Sequence, residues 1–185
     1  MDNRLSPEYV LLGLLYLKPG YGYELTKRLE ADFGYIWRVS QSQTYNILKR
    51  LEGQGYIRSS IIELEKHPAR QQVHLTRLGE HRFISWLETP TRCSVHAIRT
   101  EFITRLYFIQ LLYPEKTILI IHHQMAEIQA GLNRLNASVQ SLPLDRRFNR
   151  MAVEMRIMLL TSMIGWLNVC LAEFASDHME GNDPE

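Results

Sequence analysis

Cysteine is scarce: Cys93 and Cys170 are the only two in 185 residues. Two such residues make no disulfide framework and suit a reducing compartment. An excess of either charge is also missing. Lys and Arg total 21 against 20 Asp and Glu, a formal net charge of +1. That excludes a histone-like polycation, so any nucleic-acid footprint has to be local. Glycine and proline, 10 and 7 residues, are too few for collagen or long low-complexity disorder. There is no Gly-rich phosphate loop, nucleophile elbow or HExxH, so the expectation is a non-enzyme without a cofactor. Cys93-x-x-His96 with His122 and His123 lacks the ordered ligand pairs of structural zinc, and no metal is expected. No basic region followed by a cleavable apolar run opens the chain. The most apolar stretch, Ile157 to Leu171, is 15 residues long and includes Thr161, Ser162 and Asn168, which is short and polar for a membrane span. The expected location is cytoplasmic, with no membrane partner.

Residues 1–87 hold 12 Lys+Arg and 9 Asp+Glu, a net of +3, while 88–185 hold 9 and 11, a net of −2. In the front half, Ser6-Pro7-Glu8 reads as a helix start, with Ser capping and Pro at the first helical position. The apolar run Tyr9 to Leu17 follows and stops at the breaker-rich Lys18-Pro19-Gly20-Tyr21-Gly22. A second helix fits Tyr23 to Asp32, with Leu25, Leu29 and Phe33 on one face. Ser40 then caps a third, Gln41 to Glu52, with Tyr45, Ile47, Leu48 and Leu51 as its apolar stripe; Gly53-Gln54-Gly55 ends it. Two strands come next, Tyr56 to Glu63 and Gln71 to Leu75, around a polar loop 64–70. Thr76 caps a fourth helix, Arg77 to Thr89, with Leu78, Phe83, Trp86 and Leu87 apolar. Three helices, a hairpin and a helix make a winged helix-turn-helix.

Reading DNA takes short polar side chains for base edges and cations for phosphates on one exposed helix face. On the third helix Ser42, Gln43 and Asn46 meet the first need, and Lys49, Arg50 and nearby Arg38 the second. Ser40, at the helix start, joins this set. The hairpin tip adds Lys66 and Arg70, placed to meet the backbone or the minor groove. A merely solvated helix face is the plainer account of a lone polar helix; the adjoining basic hairpin favours DNA.

Leu11-Leu12-Gly13-Leu14-Leu15 followed by Pro19-x-x-Gly22-Tyr23-Glu24-Leu25 resembles the opening of PadR-family transcriptional regulators. So do Tyr45-x-x-Leu48-x-Arg50-Leu51-Glu52-x-x-Gly55-Tyr56-Ile57 and Leu75-Thr76-x-x-Gly79. The match covers nearly all of residues 5–87. The resemblance implies a dimeric winged-helix DNA binder, usually a repressor and sometimes an activator. It also implies that Ser42, Gln43, Thr44 and Tyr45 start the recognition helix, that Tyr45 meets the DNA backbone, and that Arg70 is the wing-tip arginine. After that arginine the chain departs from the Arg-Lys-x-Tyr of many members with Arg70-Gln71-Gln72-Val73, losing a wing cation and an aromatic.

The back half reads as helical. A linker, 90–96, leads to a helix from Ala97 to Tyr113, and Pro114 opens another. Ile118, Ile121, Met125, Ile128, Leu132, Leu135, Val139 and Leu142 then form an unbroken heptad seam. The seam requires a partner helix, in the same chain or in another. The last helix, about Asp145 to Ala175, is apolar nearly all round from Ile157, with Ile157, Leu160 and Ile164 as its seam residues. A helix apolar on every side needs cover on every side, so a second subunit is expected. Arg99-Thr100-Glu101-Phe102-Ile103-x-Arg105-Leu106-Tyr107-Phe108 resembles the start of the longer C-terminal dimerisation domain named for virulence-gene activators. The expected organisation is a DNA-binding domain 1–89, linker 90–96, helical dimerisation domain 97–178 and tail 179–185.

The functional expectation is a homodimeric regulator of a pseudo-palindromic operator, acting as a repressor in the cytoplasm and on the nucleoid. Met155, Met158 and Trp166 are candidates to line a pocket for a small aromatic effector between subunits. Core packing explains the same residues, and all-round apolarity favours it. The competing functions are a winged-helix protein–protein adaptor and a ligand-free activator.

Overall fold

The first helix, α1 (Glu8–Leu17), starts one residue later than the sequence suggests. Pro7 stands at the N-cap rather than at the first helical position, and no side chain caps this end. Ser6 instead accepts a hydrogen bond from Arg50 at 3.4 Å. The computed structural model describes residues 6–64, 67–143 and 145–180, without the side chains of 62–64, 67–70 and 177–180. The chain divides into two compact units, Met1–Thr89 and Pro90–Glu185.

In the first unit α1 is followed by β1 (Gly20–Tyr21), α2 (Gly22–Phe33), α3 (Gln41–Gly53), β2 (Ile57–Leu64), β3 (His67–Leu75) and α4 (Arg77–Glu88). The breaker-rich turn thus hides a two-residue strand. It pairs antiparallel with β3, Gly20 opposite Val73 and Tyr21 opposite Gln72, giving the sheet order β1-β3-β2. β3 also starts earlier than Gln71, because His67 already pairs with Leu64. The expected 64–70 loop therefore shrinks, and Lys66 lies outside the described residues.

Ser40 caps α3 as expected. The other end is a Schellman turn: Tyr56 N donates to Leu51 O and Gly55 N to Glu52 O, both at 2.9 Å. The turn needs a left-handed residue, and Gly55 supplies it at φ 76°. The core gathers α1 with Leu25, Leu29 and Phe33 of α2, Leu51 of α3, and Phe83 and Leu87 of α4, all buried. Two members of the expected apolar faces stay outside. Leu78 is 55% exposed and Tyr45 is 45% exposed. On α3 the fully buried Thr44 takes the core position instead.

The second unit begins with packing where a linker was expected. Thr91 is buried; Arg105 donates to its hydroxyl, and Gln124 donates to its carbonyl at 3.3 Å. Arg156 donates to the Cys93 carbonyl at 3.2 Å. Then come α5 (Val95–Ala97), a π-helical turn (Ile98–Phe102), α6 (Ile103–Leu112), a 3₁₀ turn (Pro114–Lys116), α7 (Thr117–Ser141) and α8 (Arg147–Glu180). The heptad partner lies in the same chain: α7 packs along α8. Ile121, Ile128 and Leu132 meet Leu160, Leu167 and Cys170 in the buried core, with Met125, Leu135, Ile157 and Ile164 partly buried around it.

That packing uses one side of α8. Its other side exposes Met151, Met155, Met158, Leu159, Trp166 and Val169. Helical structure extends the apolar stretch well past Ile157–Leu171. Within α8, the portion Arg147–Ser176 is long and apolar enough by length and composition to cross a membrane. Length therefore does not exclude a span. The core helix of a soluble assembly has the same composition once a partner covers it.

Candidate nucleic-acid interface

Most of the expected contact residues sit on α3, and the helix sorts them by direction. Thr44, Ile47, Leu48 and Leu51 face the core. The opposite line, at intervals of four and three residues, is Ser42, Asn46 and Lys49, all exposed. These side chains point furthest outward, and none of them is used by the capping or ion-pairing network of the helix ends.

Other candidates are already engaged. Ser40 Oγ accepts from the Gln43 amide at 3.3 Å, and Gln43 Oε1 accepts from the Ser40 amide at 2.8 Å. That reciprocal box satisfies two backbone donors at the start of α3 and ties both side chains to the backbone. Thr44, buried, donates its hydroxyl hydrogen to Ser40 O at 3.2 Å. Arg50 faces α1, where it pairs with Glu8 at 2.8 Å. Glu8 also pairs with Arg82 of α4. The Arg82 guanidinium lies over the Tyr56 ring at 4.3 Å and the Tyr9 ring at 5.4 Å. Burial opposes its charge, yet Tyr9 and Glu8 together hold its pKa above the ordinary arginine value.

Tyr45 leaves α3 on the sheet side. Its ring lies against the backbone of Gly22, the first residue of α2. Together with Tyr21, Tyr23, Asn46, Lys49, Ser59 and Gln71 it lines an open groove between α3 and the sheet. Tyr21 and Tyr23 stack with centroids 6.2 Å apart. A second groove, between α2 and the approach to α3, holds Lys27, Trp37, Arg38 and Ser40. Arg38 is exposed there. The structure thus brings Ser42, Tyr45, Asn46, Lys49 and Arg38 to open surface beside the start and outer face of one helix. Sequence reasoning missed Tyr21, Tyr23 and Lys27. For Lys27 the signal was present, as a cation on the polar side of α2. Arg70 belongs to β3, but its side chain lies outside the described residues.

Elsewhere, Cys93 packs against Gly131 of α7, and His122 and His123 are exposed. Among the described residues no group of three or more His, Cys, Asp and Glu is placed to hold a metal. Cys93 and Cys170 are held above the usual thiol range, in each case chiefly by burial. Neither is set up as a thiolate nucleophile.

Residues 11–84 match the model of the transcriptional regulator PadR-like family, and residues 98–175 match that of the virulence activator alpha C-terminal domain. The negative transcriptional regulator PadR of Bacillus subtilis is 30% identical over 139 residues, 73% of this chain and 74% of that one. A probable transcriptional regulator of Mycobacterium tuberculosis is 25% identical over 93 residues, 49% of each chain. Among solved structures, Bacillus subtilis PadR in complex with operator DNA is 24% identical, with a TM-score of 0.45, covering 94% of this chain and 99% of that chain. With both halves matched in order and nearly a third of the residues shared over most of its length with a curated PadR, the chain belongs to the PadR-like family of transcriptional regulators.

Proposed function

We propose that this regulator is a homodimeric repressor that reads a pseudo-palindromic operator through α3. The observation that carries the reading is the outward line Ser42–Asn46–Lys49, flanked by Tyr45. Ser and Asn supply donors and acceptors suited to base edges, and Lys and Tyr suit phosphates. The negative regulator of Bacillus subtilis supports the sign of control, and the operator complex of its PadR supports the target.

The first unit would read DNA and the second would hold two copies together. The support for a dimer is the exposed apolar side of α8, which includes Met158 at 71% and Val169 at 64% exposure. A second copy is the simplest cover for it. Two recognition helices on a two-fold dimer would sit about 34–36 Å apart and meet successive major grooves. Met155, Met158 and Trp166 are all exposed in one protomer. A pocket for a small aromatic effector at these residues would therefore be built between subunits. Such a dimer would work in the cytoplasm, on the nucleoid.

The test is a mobility shift with promoter DNA from the regulator's own locus. The expected result is a salt-sensitive complex of two protomers, lost when Lys49 is changed to Glu. A protein that is monomeric and indifferent to that DNA at low salt would leave the adaptor function as the better account.

A further inference from the structure

Arg50 has the sequence position of a phosphate contact, but the geometry gives it a different partner. Its guanidinium is held by Glu8 at 2.8 Å and touches Ser6 Oγ at 3.4 Å. An isolated exposed ion pair contributes about 0–1 kcal/mol and would yield easily to a phosphate. This one is not isolated. The Glu8 side chain is only 12% exposed, against 48% for Arg50. Its other oxygen is taken by Arg82, which stacks on Tyr56 and Tyr9. The acid is anchored and shielded; the arginine is the exposed member. Pro7 and the first turn of α1 fix the Glu8 backbone beside the helix N-terminus, where a negative charge is favoured.

We propose that Glu8 sets the DNA affinity of this regulator by withholding Arg50 from the duplex. Arg50 then works as a strut between α3 and α1, and Lys49 is the cation of α3 that meets phosphate. This rests on the DNA-binding reading above. The physical consequence is countable. Each phosphate neutralised by the protein adds about 0.9 to the slope of log K against log salt. A guanidinium already neutralised by Glu8 adds nothing, whereas one released from it adds its share in each protomer.

The full chain is titrated with a fluorescein-labelled mixed-sequence 30-base-pair duplex between 50 and 200 mM KCl. Non-specific binding is dominated by this electrostatic term, so no operator has to be known. Lys49→Ala is expected to flatten the slope. Glu8→Gln is expected to steepen it by roughly one per protomer and to tighten binding about three- to tenfold per protomer. Arg50→Ala alone is expected to leave the slope unchanged. The double variant Glu8→Gln/Arg50→Ala is expected to return to the wild-type slope, which assigns the gain to Arg50 rather than Arg82. Circular dichroism confirms that each variant is folded. If Glu8→Gln does not fold, Arg50→Ala still decides the matter. The proposal is overturned if Arg50→Ala flattens the slope as Lys49→Ala does. It is also overturned if folded Glu8→Gln keeps the wild-type slope. A chain with no salt-dependent affinity for any duplex overturns the DNA-binding reading itself, and this proposal with it.

Discussion

The Tyr45 ring lies on Gly22: a Cβ at that glycine would stand 2.8 Å from Cε1 and 3.1 Å from Oη of the tyrosine. The first residue of α2 and the fifth of α3 are thus matched in shape. The consequence is orientation. Tyr45 is held over the end of α2 while staying 45% exposed, so part of the ring stays open to a partner.

Two substitutions separate presentation from stability. Tyr45→Ala is expected to weaken DNA binding about three- to tenfold, the loss of roughly one hydrogen bond to a phosphate. Its melting temperature should stay close to wild type, because the ring is not in the core. Gly22→Ala keeps the tyrosine but drives a methyl group into its ring, and should weaken binding with Tyr45 intact. Titration with a promoter fragment, alongside thermal melts, checks both. A large loss of folded protein in Tyr45→Ala would mean that the ring belongs to the core.

What is legible in the sequence alone is local. Ser40 as a cap, Gly55 as a helix terminator and the Leu25–Leu29–Phe33 face each follow from residues within one turn of each other. What could not be read depends on distant partners. Gly20–Tyr21 is a strand only because Val73 and Gln72 lie beside it. Arg50 is engaged only because Glu8, 42 residues earlier, reaches it. The heptad seam announced a partner but not which helix, since the repeat is the same for α8 and for another chain. On α3 a rotation of one residue decided between Thr44 and Tyr45. A small buried polar group beat an aromatic because Thr44 can return its hydroxyl hydrogen to Ser40 O at 3.2 Å.

The seam leads to a contrast between two kinds of apolar residue. Ile128 is fully buried within the protomer. Ile128→Asp places a carboxylate there without a partner, a loss of several kcal/mol, and should unfold the second unit. Met158→Asp alters a residue that is 71% exposed in one protomer. It should leave the second unit folded while weakening the proposed dimer. Light scattering with circular dichroism distinguishes an unfolded chain from a folded monomer. A folded dimer of Met158→Asp would show that this side of α8 is not the joining surface.

Gly131 gives a test of how residues 90–96 are attached. A Cβ on this α7 glycine would run into Cys93 Sγ and lie 3.1 Å from Cys93 Cβ. Gly131→Ala should therefore lower stability by roughly 1–3 kcal/mol despite the better helix propensity of alanine. Cys93→Ala removes the sulfur and should recover part of the loss. A double-mutant cycle by denaturant titration measures the coupling. Simple additivity would mean that this segment does not press on α7.

Glu101, in the π-helical turn beside buried Arg105, has a pH signature of a definite sign. Burial raises its pKa above the ordinary carboxylate value, against the opposing pull of Arg105, Arg92 and His96. The folded chain then holds the Glu101 proton more tightly than the unfolded chain. Its contribution to stability is fully present below the unfolded pKa and is lost as pH rises through the folded one. Ionising this half-buried carboxyl costs stability, and the cost is met once pH exceeds the folded pKa. Glu101→Gln keeps a neutral polar group of the same shape, so it should melt roughly 1–3 °C higher than wild type at pH 7, an effect kept small by partial solvent access. The difference should shrink as pH falls through the folded pKa and disappear below the unfolded one, where wild type is itself protonated. Thermal melts of the two proteins across that range decide it. A variant less stable than wild type at pH 7 would mean that attraction to Arg105 and Arg92 outweighs the burial of the carboxylate.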